Sequence, residues 1–89
     1  MKKLDNVILK KGFVYELICR DNNKAIYSQS FQGKIISYEV FKIKVVKESV
    51  IFGKTVEEHE KFPSDNDFGI TAWSCRSIDK ARNIYDSLK

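Results

Sequence analysis

Proline occurs once in this chain, at Pro63, and glycine four times, so few positions break the backbone by composition alone. The two cysteines, Cys19 and Cys75, lie far apart and form neither a Cys-x-x-Cys pair nor a Cys/His ligand spacing. Both sit inside apolar runs, which reads as two buried thiols acting as small hydrophobes. A single histidine, His59, leaves one imidazole for acid–base work. There is no Gly-rich phosphate loop and no nucleophile elbow, so the expectation is a non-enzymatic protein without a cofactor. No apolar run approaches the roughly 20 residues that a membrane-spanning helix needs. The apolar part of the start is only residues 7–9, between Asp5 and Lys10, too short for a signal peptide, and a cytoplasmic protein is expected.

What the sequence does hold is apolar and aromatic content. Of its 89 residues, 43% are hydrophobic, and four tyrosines and six phenylalanines accompany Trp73. That excludes a disordered chain and allows one modest core, hence one domain over residues 1–89. Residues 1–11 read as a basic leader, either flexible or carrying a short edge strand at residues 7–9. Charge is divided unevenly. Residues 1–54 hold 11 Lys/Arg and 5 Asp/Glu, for +6, while residues 55–89 hold 5 and 7, for −2. A basic half suits an acidic partner, although solubility alone also accounts for a moderate net charge.

The longest strand-forming stretch is residues 35–47, rich in β-branched and aromatic residues and free of Gly and Pro. Its alternation changes phase. Ile36, Tyr38 and Val40 share one face, and Phe41, Ile43 and Val45 the other. A bulge near residues 40–42 would restore one buried face. Upstream, Phe13, Tyr15, Leu17 and Cys19 alternate as a half-buried strand, and Asp21-Asn22-Asn23 supplies a tight turn. A second strand covers residues 25–31, and Gln32-Gly33-Lys34 turns the chain into the central one. Downstream, residues 50–52 make a short strand ending at Gly53, and residues 55–67 read as a long irregular connection. Residues 70–76 form a last strand, with Trp73 expected to be buried. A helix then starts at the N-cap Ser77, with Asp79 in its first turn and an apolar stripe of Ile78, Ala81, Ile84, Tyr85 and Leu88. The expected fold is α+β, an antiparallel meander of four to five strands with one C-terminal helix across the sheet.

Two sets of residues could carry binding. Tyr38, Lys42, Lys44 and Lys47 interleave an aromatic with cations on one strand, a pattern that can hold a phosphate backbone and stack bases. Lysine is equally ordinary on the wet face of a sheet, where it discourages edge pairing. Glu57, Glu58 and Glu60 form an acidic cluster suited to a protein partner. His59 lies among them, but adjacent carboxylates without ligand spacing are more often solvated than metal-bound, so no metal is expected.

The segment Phe62-Pro63-Ser64, Asp67-Phe68-Gly69 and Ala72-Trp73, followed by Ser77 and Ala81 in a short helix, resembles small uncharacterised proteins of phages and mobile elements. The likeness runs from Tyr15 to Leu88 and implies no particular activity. The meander ending in a Ser-x-x-x-Ala helix is also similar in outline to the arm-binding domains of phage integrases, which lay a three-stranded sheet on DNA. This chain lacks their dense arginine and carries the acidic residues 55–67. The expectation is therefore a small binding module associated with nucleic acid, with a protein-interaction module (an accessory factor or inhibitor) as the alternative.

Overall fold

Strand-forming residues punctuated by X-Gly pairs build most of the chain. The computed structural model describes residues 1–88. Its strands are β1 (Val7–Lys10), β2 (Phe13–Arg20), β3 (Lys24–Phe31), β4 (Lys34–Lys42), β5 (Lys44–Val46), β6 (Ser49–Ile51), β7 (Lys54–Val56), β8 (His59–Lys61) and β9 (Ala72–Cys75), with helix α1 at Ile78–Ser87. Five strands make an antiparallel sheet in the order β1-β2-β3-β4-β9. The α+β meander with a C-terminal helix is thus the architecture found. Residues 7–10 are its edge strand, paired to β2 from Val7↔Glu16 to Lys10↔Phe13.

Both faces of this sheet are covered, and that explains the phase change in the central strand. On one face Tyr15, Tyr27 and Phe41 are buried beneath Phe62 and Phe68 of the returning loop. Phe62 is central there, its ring centroid 4.8 Å from Tyr15, 5.6 Å from Tyr27 and 5.1 Å from Phe41. On the other face Ile26, Val40 and Cys75 lie beneath α1, which contributes Ala81, Ile78, Ile84, Tyr85 and Leu88. Val40 and Phe41 are therefore both fully buried, in opposite cores.

No bulge is needed at residues 40–42. The strand ends at Lys42, Ile43 packs into the first core, and the chain leaves for a second sheet at Lys44. The register shifts lie elsewhere. One falls between Leu17 and Cys19, the other at Ile36, which is extra between Ile35 and Ser37 in the pairing with β3. The first sends Cys19 to the helix face, away from Tyr15 and Leu17, because one extra residue reverses every side chain beyond it.

The expected irregular connection over residues 55–67 is largely structured. β6 and β7 form a hairpin whose only substantial packing is with each other. β5 pairs with β8 from Lys44↔Lys61 to Val46↔His59, and Lys2 bridges to His59 on the far side of β8. Past Phe62, the Ser64–Asp67 turn satisfies its own amides, with the Asp67 carboxylate accepting from the Ser64 N–H at 2.9 Å. Trp73 is half-buried rather than buried, since β9 is a sheet edge and the side chain shares the helix face near its rim.

The helix is tied at both ends. The Ser77 hydroxyl accepts from the Lys80 amide at 3.2 Å. Lys24 crosses from β3 to donate to the Tyr85 and Leu88 carbonyls at 2.6 and 3.0 Å, capping the negative end of the dipole.

Candidate nucleic-acid interface

Alternation along β8 sorts His59, Glu60 and Lys61 onto two sides. Lys61 and Lys44 are cross-strand partners and share a face with the next pair, His59 and Val46. Lys2 lies opposite His59 in a parallel bridge, held by its amide to the Glu58 carbonyl (3.2 Å) and by the Glu60 amide to its own carbonyl (2.8 Å). The outward face of this small sheet thus carries Lys2, Lys44 and Lys61, all exposed, beside a half-buried His59. Its close counter-charge is Asp67, in an ion pair with Lys44. That lysine, followed by the Ser64 amide, holds the Asp67 carboxyl down at about 2.

Glu60 takes the other side. It points inward, where the Arg20 guanidinium donates to both its oxygens at 2.6 and 2.8 Å and the Leu4 amide to one of them at 2.9 Å. Arg20 holds the Glu60 carboxyl below the usual range, against the opposing effect of burial, and Glu60 in turn raises the guanidinium. Glu60 is therefore a buried structural partner of β2 and is withdrawn from the acidic cluster foreseen from the sequence. Glu57 stays exposed and Glu58 half-buried, and the His59 Nδ1 lies 2.9 Å from the Glu57 carbonyl oxygen. Among the described residues no three His, Cys, Asp or Glu side chains converge as a metal cluster would require.

The basic set is also rearranged. Tyr38 is half-buried in the helix-side core, so it offers no open stacking surface. Lys42 and Lys44 remain exposed on either side of the inward Ile43, and Lys47 follows the end of β5, also exposed. The most exposed aromatic among the described residues is instead Phe52, at the tip of the β6–β7 hairpin. Its backbone has φ 49°, with Gly53 at φ 76°, the signature of a two-residue turn that favours Asn-Gly and disfavours a bulky first residue. Lys54 follows across the turn, paired to Ile51. Local alternation in His-Glu-Lys could have revealed Lys61. Lys2 had no local signal, because a long-range bridge places it.

No family model, curated protein or solved structure matches the chain. Among the described residues, no helix is long and apolar enough to cross a membrane.

Proposed function

We propose that this chain is a small non-enzymatic module that binds single-stranded nucleic acid, with the β5–β8 face along the phosphates and Phe52 against a base. The observation that carries this reading is the gathering of Lys2, Lys44 and Lys61 on one exposed sheet face, with Lys42 and Lys47 flanking it in sequence. Several like charges on a small surface oppose folding slightly, and an anionic polymer relieves that repulsion. Phe52 supports the choice of single strands. The left-handed first turn position is shared with Lys11 and Gln32 before Gly12 and Gly33, but only at Phe52 is it filled by an aromatic ring, at a strain of roughly 1–3 kcal/mol. An exposed ring with Lys54 just across the turn offers a π-face to any base. The proposed setting is an accessory factor of a phage or mobile element, supported by the likeness of the Phe62–Trp73 segment to small proteins of such elements, and a cytoplasmic location is proposed with it.

The alternative is a protein-interaction module. Its specific support is the same hairpin arm, where Val50 and Ile51 are exposed beside Phe52 and Glu57 and Glu58 lie just beyond its base.

A titration separates the two. Labelled DNA and RNA oligonucleotides of about 16 nucleotides, single-stranded and duplex, are followed by anisotropy at low salt. The parent should bind single strands, Lys44→Glu with Lys61→Glu should abolish binding, and Glu57→Lys with Glu58→Lys should not weaken it. No binding to any oligonucleotide would remove the nucleic-acid reading and leave the arm as a protein contact.

A further inference from the structure

The far edge of the main sheet ends in an unoccupied strand position beside the helix. β9 is the outermost strand, and α1 follows it directly and packs over β9, β4 and β3. Between them lies a groove of about 540 Å³ lined by Ser74, Cys75, Arg76, Lys80, Asn83 and Ile84. Its wall on one side is strand and on the other helix.

Backbone direction in β9 follows from its pairing. Lys42 donates its amide to the Thr71 carbonyl at 2.9 Å, and Trp73 and Cys75 stand opposite Val40 and Tyr38. Antiparallel alternation then turns the Trp73 and Cys75 backbone groups toward β4 and those of Ser74 outward. The outer groups of Ala72 are already engaged, since its carbonyl accepts from the Gly69 amide at 2.7 Å. Ser74 therefore offers one N–H and one C=O along the groove, and an added extended chain would satisfy both.

The charged side chains that line the groove are both cationic, and the carboxylate opposite Ser74, that of Glu39, is buried on the other face of the sheet. Arg76 and Lys80 are exposed, and neither pairs with a carboxylate among the described residues. Asp79, adjacent in sequence, does not line the groove. The floor is apolar, from Cys75 and Ile84, and the Asn83 amide can bind polar backbone or side chain. Strand edge, apolar floor and two cations together specify a ligand that is extended, alternates apolar with acidic residues, and runs along β9.

We infer that the β9–α1 groove binds an acidic peptide segment of a protein partner by strand addition, with Arg76 and Lys80 reading its carboxylates. This surface uses none of the lysines proposed to hold nucleic acid, so the two readings fail independently. Commitment to a peptide rather than to a second strand of nucleic acid rests on the outward backbone of Ser74, because a strand edge pairs with amides. An apolar side chain on the peptide would sit over Cys75 and Ile84, and the neighbouring acidic one would face the cations.

The test uses the whole chain and an acetylated Glu-Val repeat peptide of about six residues, near the usual strand length. Fluorescence of the sole tryptophan, Trp73, adjoins Ser74 and reports binding, and amide chemical shifts locate it. Expected are saturable shifts at Ser74, Arg76, Lys80 and Asn83 that weaken with added salt. Methylating alternate peptide nitrogens removes the strand hydrogen bonds and should abolish binding. Arg76→Glu with Lys80→Glu should weaken the acidic peptide by about tenfold or more and favour a Lys-Val repeat instead. No binding of the Glu-Val peptide, equal binding of its methylated form, an oligonucleotide producing the same shifts, or a concentration-dependent dimer through β9 would each overturn the proposal. The methylated peptide keeps the test decisive even if the double variant fails to fold.

Discussion

Arg20 on β2 and Glu60 on β8 form a two-pronged buried pair, with N–O distances of 2.6 and 2.8 Å and side chains 17% and 3% exposed. The pair ties the second sheet to the first, and the Leu4 amide on the same carboxylate ties the leading residues to both. Replacing Glu60 leaves the half-buried Arg20 guanidinium and the Leu4 amide without their shared acceptor. Glu60→Ala should therefore lower stability by about 1–3 kcal/mol. Glu57→Lys with Glu58→Lys should change it by about 0.5 kcal/mol or less. Urea unfolding of both variants measures the difference, and an unchanged midpoint for Glu60→Ala would contradict the structural role.

Glu39 should make stability fall as pH rises. Its Oε1 accepts from Ser37 and Ser74, Oε2 has no partner, and burial pushes its carboxyl up against the lowering effect of those hydroxyls. A carboxyl raised in the folded state binds a proton that the unfolded chain releases. Its stabilising contribution is complete below the unfolded value of about 4.3 and is lost as pH climbs through the folded value. Glu39→Gln keeps a neutral polar group at all pH, so its stability relative to the parent should increase between about pH 4 and about pH 7. An equal difference at both ends would show that Glu39 ionises without penalty. Glu60 and Asp67, both lowered, act in the opposite sense. Their contributions are present above the unfolded carboxylate values and are lost on acidification, toward about 2 for Asp67.

The last turn of the helix depends on Lys24. Its ammonium group caps the Tyr85 and Leu88 carbonyls and lies 4.3 Å from the Tyr85 ring centroid. Dipole and cation–π contributions together predict a loss of about 1–2 kcal/mol for Lys24→Ala. Amide exchange should accelerate most in the final helical turn. Uniform acceleration along the helix would instead indicate global destabilisation with no capping role.

Phe52 should show opposed effects on stability and binding. Asn-Gly suits the hairpin turn better than Phe-Gly, so Phe52→Asn should raise stability by up to about 1 kcal/mol. Loss of a stacking ring should at the same time reduce single-strand affinity by about 1–3 kcal/mol. Unfolding and anisotropy on one sample read both. A stabilised variant with undiminished binding would take Phe52 out of the interface.

Much of the main sheet was legible because its cues are local. Alternation from Phe13 to Leu17, up to the register shift that turns Cys19 away, the Asp21 turn, whose carboxylate accepts from the Asn23 and Lys24 amides at 2.7 and 2.9 Å, and the Ser77 cap act within a few residues. The change of phase between Val40 and Phe41 was visible, but its cause was not. A bulge and a sheet buried on both faces leave the same local pattern, and only the packing of Phe62 against Tyr15, Tyr27 and Phe41 distinguishes them. The candidate site was read less well for a related reason. Lys44 was apparent in its strand, whereas the positions of Lys2 and Lys61 around it depend on bridges across more than fifty residues and on the pairing of β5 with β8. Glu60 looked like its acidic neighbours until alternation turned it inward to Arg20.

The salt dependence of binding tests the central claim most directly. Each phosphate neutralised by a lysine releases condensed counterions, so log affinity for a single-stranded oligonucleotide should fall linearly with log salt, at about −0.7 per contact. If Lys2, Lys44 and Lys61 hold the phosphates, the parent should show a slope of about −2 or steeper between about 50 and 200 mM salt. Replacing all three by Gln should flatten the slope by about two to three contacts' worth, while urea unfolding shows the chain still folds cooperatively, with only the modest loss expected from breaking the Lys44–Asp67 pair. Binding with the same slope in parent and variant would place the contact elsewhere and contradict the account.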